Sequence, residues 1–180
     1  MCQPSQYSKQ DYSKMSLLLA LLLTIGTPAA ATAPSLSTPS TISTHPEAKL
    51  YDATRDARAD VSAALTRAKA SGRRVILVMG ANWCHDSKSL AGWFESARFK
   101  AMLAPKYEIV YVDVGKPQRR EGRNIEIAQG FGLKKIKGTP TVLILSPAGA
   151  LLNKKDAPTW RNAASRSEDE IFRSFAEFGR

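Results

Sequence analysis

Arg74-Val-Ile-Leu-Val-Met-Gly-Ala-Asn-Trp-Cys-His-Asp-Ser-Lys-Ser-Leu90 is the stretch that decides the fold. Val75 to Met79 has the length and apolar content of a buried strand. Gly80 to Trp83 reads as a turn, and the residues after Cys84 take helical spacing. The stretch therefore delivers one thiol to a helix N-terminus at the C-terminal edge of a sheet. Such a helix end carries roughly half a positive charge, which stabilises an anion such as a thiolate. Three positions on, where a Cys-x-x-Cys motif has its second thiol, stands Ser87.

Downstream, Leu90, Trp93, Phe94 and Phe99 have core spacing, with a break predicted near Ser96-Ala97 and a further turn through Met102 and Leu103. Tyr107 to Val114 reads as a second strand, and its apolar content suits the centre of a sheet. Gly115 to Arg123, G-K-P-Q-R-R-E-G-R, reads as a basic loop. Asn124 is placed to cap a short helix over Ile125 to Phe131. Pro140 to Leu145 is a third strand, and Ala150 to Leu152 an antiparallel edge strand after the Pro147-Ala-Gly149 turn. Asp156 to Ser165 has no clear pattern. Ser167 and Glu170 form a capping box for a last helix that turns Ile171, Phe172, Phe175 and Phe178 to the core.

Upstream, Glu47 to Ala70 reads as an amphipathic helix. Leu50, Ala57, Val61, Ala64, Leu65 and Ala68 share its apolar stripe, and Ser71-Gly72 ends it. Residues 32–46 are rich in Ser, Thr and Pro and read as a linker in which His45 is solvated. Residues 1–31 have the form of a secretory signal. Lys9 and Lys14 precede the apolar run Ser16 to Ile25, and small residues follow, with cleavage expected near Ala31. The run is too short to span a bilayer comfortably, so no stable membrane span is expected once the signal is removed. Met15, directly before the run, is an alternative start that would leave Cys2 unmade. The expected location is periplasmic or secreted.

A chain of 180 residues supports one domain with a core, plus tails. Its net charge is +10, and the signal takes two lysines and one aspartate with it, leaving +9. No nucleic-acid motif accompanies that charge, and the aromatics are not interleaved with the basic residues, so nucleic acid is not an expected partner. Cys84 is then the one cysteine of the mature chain, which points to a reactive thiol or an intermolecular bond. Cys84, His85 and Asp86 all carry ligand atoms, but neighbours at a helix start do not converge on one ion. No second Cys or His cluster would complete a site, so neither metal nor cofactor is expected. Ser87 has no His and acid placed to activate it as a nucleophile.

Strands alternating with helices and closed by a hairpin give an α/β sandwich: a central mixed sheet flanked by helices, with an N-terminal helical extension, over residues 47–180. The element order, W-C-x-x-S at a strand-to-helix turn, and Gly138-Thr139-Pro140-Thr141 about fifty residues later together resemble the thioredoxin superfamily, and most of all exported bacterial members. The resemblance implies a cis Pro140 facing Cys84, with Trp83, Thr139 and Pro140 contacting an extended substrate peptide. Two departures accompany it. Ser87 replaces the resolving cysteine, and Val78 stands where thioredoxin itself carries a buried acid.

The chemistry expected is thiol–disulfide exchange through Cys84, with Ser87 donating a hydrogen bond to the thiolate and an external thiol releasing the adduct. His85 either stabilises the thiolate when protonated or pairs at the surface with Asp86. Lys116, Arg119, Arg120, Arg123, Lys134, Lys135 and Lys137 lie on loops near the same edge. The partners expected are exported proteins carrying disulfides or oxidised thiols. Two alternatives stay open: a glutathione-linked monothiol oxidoreductase and a redox-silent binding module that keeps the fold's peptide groove.

Overall fold

The computed structural model describes residues 45–179. The expected signal, its cleavage point near Ala31 and residues 32–44 of the linker lie outside the described residues.

β1 (Arg74–Gly80) runs through the middle of the domain. It pairs in parallel with β2 (Tyr107–Asp113) and antiparallel with β5 (Thr141–Leu145), giving the order β2-β1-β5 in a mixed sheet. Side chains alternate between the faces, as the pleat requires. Val75, Leu77 and Met79 join one core cluster with α1 (Ala57–Ser71) and α4 (Ile125–Gly130). Ile76 and Val78 join the other, with α2 (His85–Glu95), α3 (Ala97–Leu103) and α5 (Glu168–Phe178). The domain is thus a helix–sheet–helix sandwich. β1 holds the centre, and β2, expected there from its apolar content, lies at an edge. Its apolar residues serve the two faces: Val110 and Val112 pack toward α1, Ile109 and Tyr111 toward the other layer.

Five further expectations need correction. The N-terminal helix starts at Ala57, ten residues later than expected. Asp56 stops it from running further back, because its carboxylate accepts from the backbone N–H of Arg58 and Ala59, both at 3.0 Å. Asp52 forms a second local turn by accepting from the N–H of Thr54 at 2.8 Å. Residues 45–56 are therefore a non-helical strap, which reaches α2 through Ala48 N–H donating to the Lys88 carbonyl at 3.0 Å. Glycine at position 92 permits this approach, since a Cβ there would sit 2.1 Å from the Pro46 carbonyl oxygen. His45, expected in solvent, consequently meets Trp93 edge-on at 6.0 Å.

The basic segment after β2 is an ordered hairpin rather than a loop. β3 (Gly115–Lys116) and β4 (Glu121–Gly122) pair antiparallel around a 3₁₀ turn at Pro117–Arg119. Asn124 does not cap α4 with its side chain. It sits at φ 57°, and its amide donates to the Asp113 carbonyl at 2.9 Å, tying the hairpin to the end of β2. Ala150 to Leu152 reduces to one bridge, Leu145 with Leu151. A side chain takes over the ladder: Asn153 accepts from Ile144 N–H at 2.8 Å and donates to the Val142 carbonyl at 2.9 Å.

Other expectations hold. The α2–α3 break falls at Ser96, which ends one helix and caps the next. Gly72 ends α1 at φ 73°. Ser167 and Glu170 form the capping box of α5. The patternless stretch is a 3₁₀ segment, Ala157–Ser165, kinked at Asn162. It buries Trp160, which stacks on Phe175 at 4.7 Å. No helix among the described residues is long and apolar enough to cross a membrane.

Candidate active site

Cys84 is the N-cap residue of α2, with extended backbone (φ −87°, ψ 121°). Its N–H donates to the Ala81 carbonyl, and its own carbonyl receives Lys88 N–H, both at 3.1 Å. The sulfur is thereby fixed at the helix end, next to the free N–H groups of the first turn. The Sγ–H donates to the Thr139 carbonyl at 3.2 Å. The Thr139–Pro140 bond is cis. Gly138, Thr139 and Pro140 are buried, and the Thr141 hydroxyl braces the loop by donating to the Gly138 carbonyl at 2.8 Å. Two elements about fifty residues apart in sequence thus meet at the sulfur of Cys84, a residue only 8% exposed.

On the inner side of Cys84 the protein is closed. Tyr51, from the strap, is pinned by a reciprocal pair: its N–H donates to Asn82 Oδ1 at 3.2 Å, and Asn82 Nδ2 donates to its carbonyl at 2.8 Å. Its hydroxyl donates to the Ser87 carbonyl at 3.1 Å, and its ring meets Tyr111 edge-on at 5.6 Å. Burial pushes the Tyr51 phenol well above its ordinary pKa, reinforced by the neighbouring Tyr111. Ser87 is fully buried, and its hydroxyl has no hydrogen-bond partner. The expected bond from Ser87 to the Cys84 sulfur is therefore absent from this thiol form. The Ser87 hydroxyl instead lies over Gly80, where an added Cβ would come within 2.6 Å of it. Val78, also fully buried, belongs to the same apolar cluster as Tyr51.

His85 and Asp86 do not pair with each other. Successive helical residues point in different directions, and each finds its own partner. His85 Nδ1 lies 2.6 Å from Glu47 Oε1, while Asp86 accepts from Ala164 N–H at 2.9 Å. Lys88 also reaches Glu47, at 2.6 Å. The bond from Lys88, then that from His85, holds the Glu47 carboxyl below its ordinary pKa.

The outer side is open. Trp83 is 49% exposed, and its indole N–H donates to the Gly115 carbonyl at 2.9 Å, anchoring the ring to the β3–β4 hairpin. Beside it lies a cavity of about 520 Å³ lined by Trp83, Lys116, Gln118, Arg119, Gly138, Thr139 and Arg161. Of the basic residues expected near the thiol, Lys116 and Arg119 reach this cavity. Arg123 instead pairs with Asp113 at 3.3 Å, and Arg120, Lys134, Lys135 and Lys137 are exposed outside its lining. Sequence reasoning missed Arg161, Gln118 and Tyr51. No motif marks the first two, and Tyr51 lay inside a stretch read as helix. The Asp52 and Asp56 turn signals were the available warning. Among the described residues no three His, Cys, Asp or Glu side chains gather as a metal site.

A single thiol capping a helix against a prolyl loop defines a thiol-bearing α/β sandwich domain. The chain belongs to the thioredoxin-like family, whose profile matches residues 56–147. Among solved structures it is similar to a disulphide isomerase from Xylella fastidiosa Temecula1. The identity is 30%, the TM-score is 0.66, and the match covers 74% of this chain and 98% of that one. No curated protein matches the sequence.

Proposed function

We propose that this is a thiol–disulfide exchange protein acting through the single nucleophile Cys84. The observation that carries the reading is the thiol at the N-cap of α2, hydrogen-bonded to Thr139 of the prolyl loop and flanked by the exposed Trp83. The family and the similarity to the Xylella disulphide isomerase support it. Loss of the thiol proton removes the bond to Thr139 and frees both sulfur and carbonyl. The thiolate then attacks one sulfur of a substrate disulfide. A Cys84–substrate S–S bond forms as the substrate's S–S bond breaks, and the departing sulfur leaves as a thiolate that takes up a proton. The freed Thr139 carbonyl and Pro140 receive the substrate backbone, and Trp83 covers one side of it.

Ser87 offers no second thiol. The mixed disulfide therefore persists until an external thiol attacks the substrate sulfur and returns Cys84, or until the thiol just released attacks and reverses the step. His85, held by Glu47, adds positive charge at the helix end when protonated. The substrates on this reading are exported proteins carrying disulfides or oxidised thiols, met in the periplasm or outside the cell after removal of residues 1–31.

The test is a non-reducing gel with intact-mass analysis of the native protein mixed with a disulfide-bonded protein. The expected result is a covalent adduct that dithiothreitol reverses and Cys84→Ala abolishes. Absence of any Cys84-dependent adduct overturns the proposal. The closed setting of Cys84, at 8% exposure, is the observation favouring the second reading, a redox-silent binding domain. That reading predicts binding without adducts.

A further inference from the structure

We propose that the cavity beside Cys84 selects disulfides flanked by aspartate or glutamate, a substrate class for the exchange reaction proposed above, on which this inference rests. Three cationic side chains line the cavity, Lys116, Arg119 and Arg161, and no acidic one does. Most other arginines are engaged, although Arg120, exposed outside the lining, has no side-chain partner among the described residues. Arg55, Arg58, Arg67, Arg73, Arg98 and Arg123 form ion pairs, and Arg166 lies over the Trp160 ring. Neither Arg119 nor Arg161 has a side-chain hydrogen bond or ion pair among the described residues. Lys116 has only Glu121, at 3.9 Å. Unpaired charge therefore faces the space a substrate must enter.

The positions of these cations are built. The β3–β4 hairpin carries Lys116 and Arg119, and the Trp83 indole is bonded to the same hairpin. Arg161 comes from a separate element, the 3₁₀ segment, and its stem crosses the prolyl loop at Gly138. A Cβ on Gly138 would lie 3.2 Å from both Cβ and Cδ of Arg161, so the missing side chain lets the stem lie there. The guanidinium is thus carried on the loop whose Thr139 touches the sulfur. What reaches Cys84 in disulfide exchange is a cystine within a polypeptide, and the residues next to it are what fill the cavity. Carboxylates there complement three clustered cations, in a cleft where low-dielectric walls strengthen the attraction.

The test uses three blocked peptides of one length, each joined through a single cysteine to the same small leaving thiol. The flanking residues are Glu in one, Gln in the second and Lys in the third. Intact-mass kinetics give the rate of Cys84 adduct formation, each divided by the rate of a free small thiol with the same peptide, because acidic flanks slow any thiolate intrinsically. At low salt the Glu peptide is expected to react about 10-fold faster than the Gln peptide, with the Lys peptide slowest. Arg119→Gln and Arg161→Gln each lower the Glu-to-Gln ratio about threefold, the size of one exposed ion pair. Salt near 0.5 M brings the ratio toward one. Lys135→Gln, which removes the same charge outside the cavity, leaves the ratio in place.

Equal normalised rates, or a ratio that survives the Arg119→Gln/Arg161→Gln double substitution, overturns the selectivity. Failure of all three peptides to form adducts instead overturns the exchange function itself. Oxidised glutathione outpacing the Glu peptide, with the same arginine dependence, assigns the cavity to glutathione carboxylates and overturns the peptide assignment.

Discussion

The two sides of Cys84 are built on opposite principles. The inner side is closed by Tyr51, Asn82, Gly80 and Ser87, which leave no charged group against the thiol. The outer side is an open cavity walled by Trp83, Lys116, Arg119 and Arg161. The inner side is over-determined: backbone and side-chain bonds at 3.2, 2.8 and 3.1 Å fix Tyr51 against the start of α2. The outer side holds Arg119 and Arg161, which have no side-chain partner among the described residues, and Lys116, which has only Glu121 at 3.9 Å. One side fixes where the sulfur is, and the other is free to choose what meets it. Inner-side substitutions should therefore register as stability, and outer-side ones as substrate preference.

The largest effect expected is at Tyr51. Tyr51→Ala empties a fully enclosed ring site and should cost about 3–5 kcal/mol, as large-to-small changes of aromatic residues do. Tyr51→Phe keeps the ring and loses one hydrogen bond, worth about 1 kcal/mol. Arg161→Gln, the outer-side counterpart, should stay within about 0.5 kcal/mol. Denaturant titration of the three variants gives the comparison, and equal losses at Tyr51 and Arg161 would break it. Tyr51 also sets an alkaline limit. Its phenol is neutral in both states below the ordinary value near 10 and is raised in the folded state. Its contribution is therefore fully present below pH ~10 and lost as pH rises through the folded value. Melts above that pH should fall less steeply for Tyr51→Phe.

Gly80 comes next. A methyl group there would lie 2.6 Å from the Ser87 hydroxyl and 2.7 and 2.8 Å from Tyr51 ring carbons. The ring is pinned at both ends, so the strain cannot be relieved cheaply. Gly80→Ala should cost about 1–3 kcal/mol, the usual range for overpacking. Tyr51→Phe removes the hydroxyl but not the crowded ring carbons, so it should rescue little of this loss. Substantial rescue would mean that the inner side is looser than its contacts imply.

This division was only half legible in the sequence. The strand Arg74–Gly80, Cys84 at the head of α2 and the Gly138-Thr139-Pro140-Thr141 loop could be read because local pattern sets each of them: an apolar run, a turn into helical spacing, a proline before a strand. Tyr51 could not, because its role depends on a strap crossing α2 at Gly92, a contact more than forty residues distant in sequence. Arg161 lies in a segment with no apolar period, and only folding brings its stem onto Gly138. The apolar run of β2 suggests the centre of the sheet although β2 lies at its edge, for a related reason. An apolar run reports burial, and burial by two helical layers looks the same in sequence as burial between two strands. The seven basic residues expected near the thiol could be named but not sorted, since the ordered hairpin, rather than composition, decides which of them line the cavity.

The smallest effect concerns Ser87, and its sign is the informative part. The hydroxyl is fully buried and has no hydrogen-bond partner, so it is desolvated without compensation. Ser87→Ala removes that polar atom and leaves a void of only one oxygen. The two terms nearly cancel, with the lost desolvation penalty slightly larger, so the variant should match the native protein or exceed it by up to about 1 kcal/mol. If Ser87 served the Cys84 thiolate through a hydrogen bond, the same variant would instead slow adduct formation at unchanged stability. Measuring both on one preparation separates the roles. A stable variant with native adduct rates means that Ser87 is a filler of the closed side. A stable variant with slowed adduct formation means that the hydroxyl turns toward the sulfur once the thiol ionises, and the closed side then takes part in the chemistry.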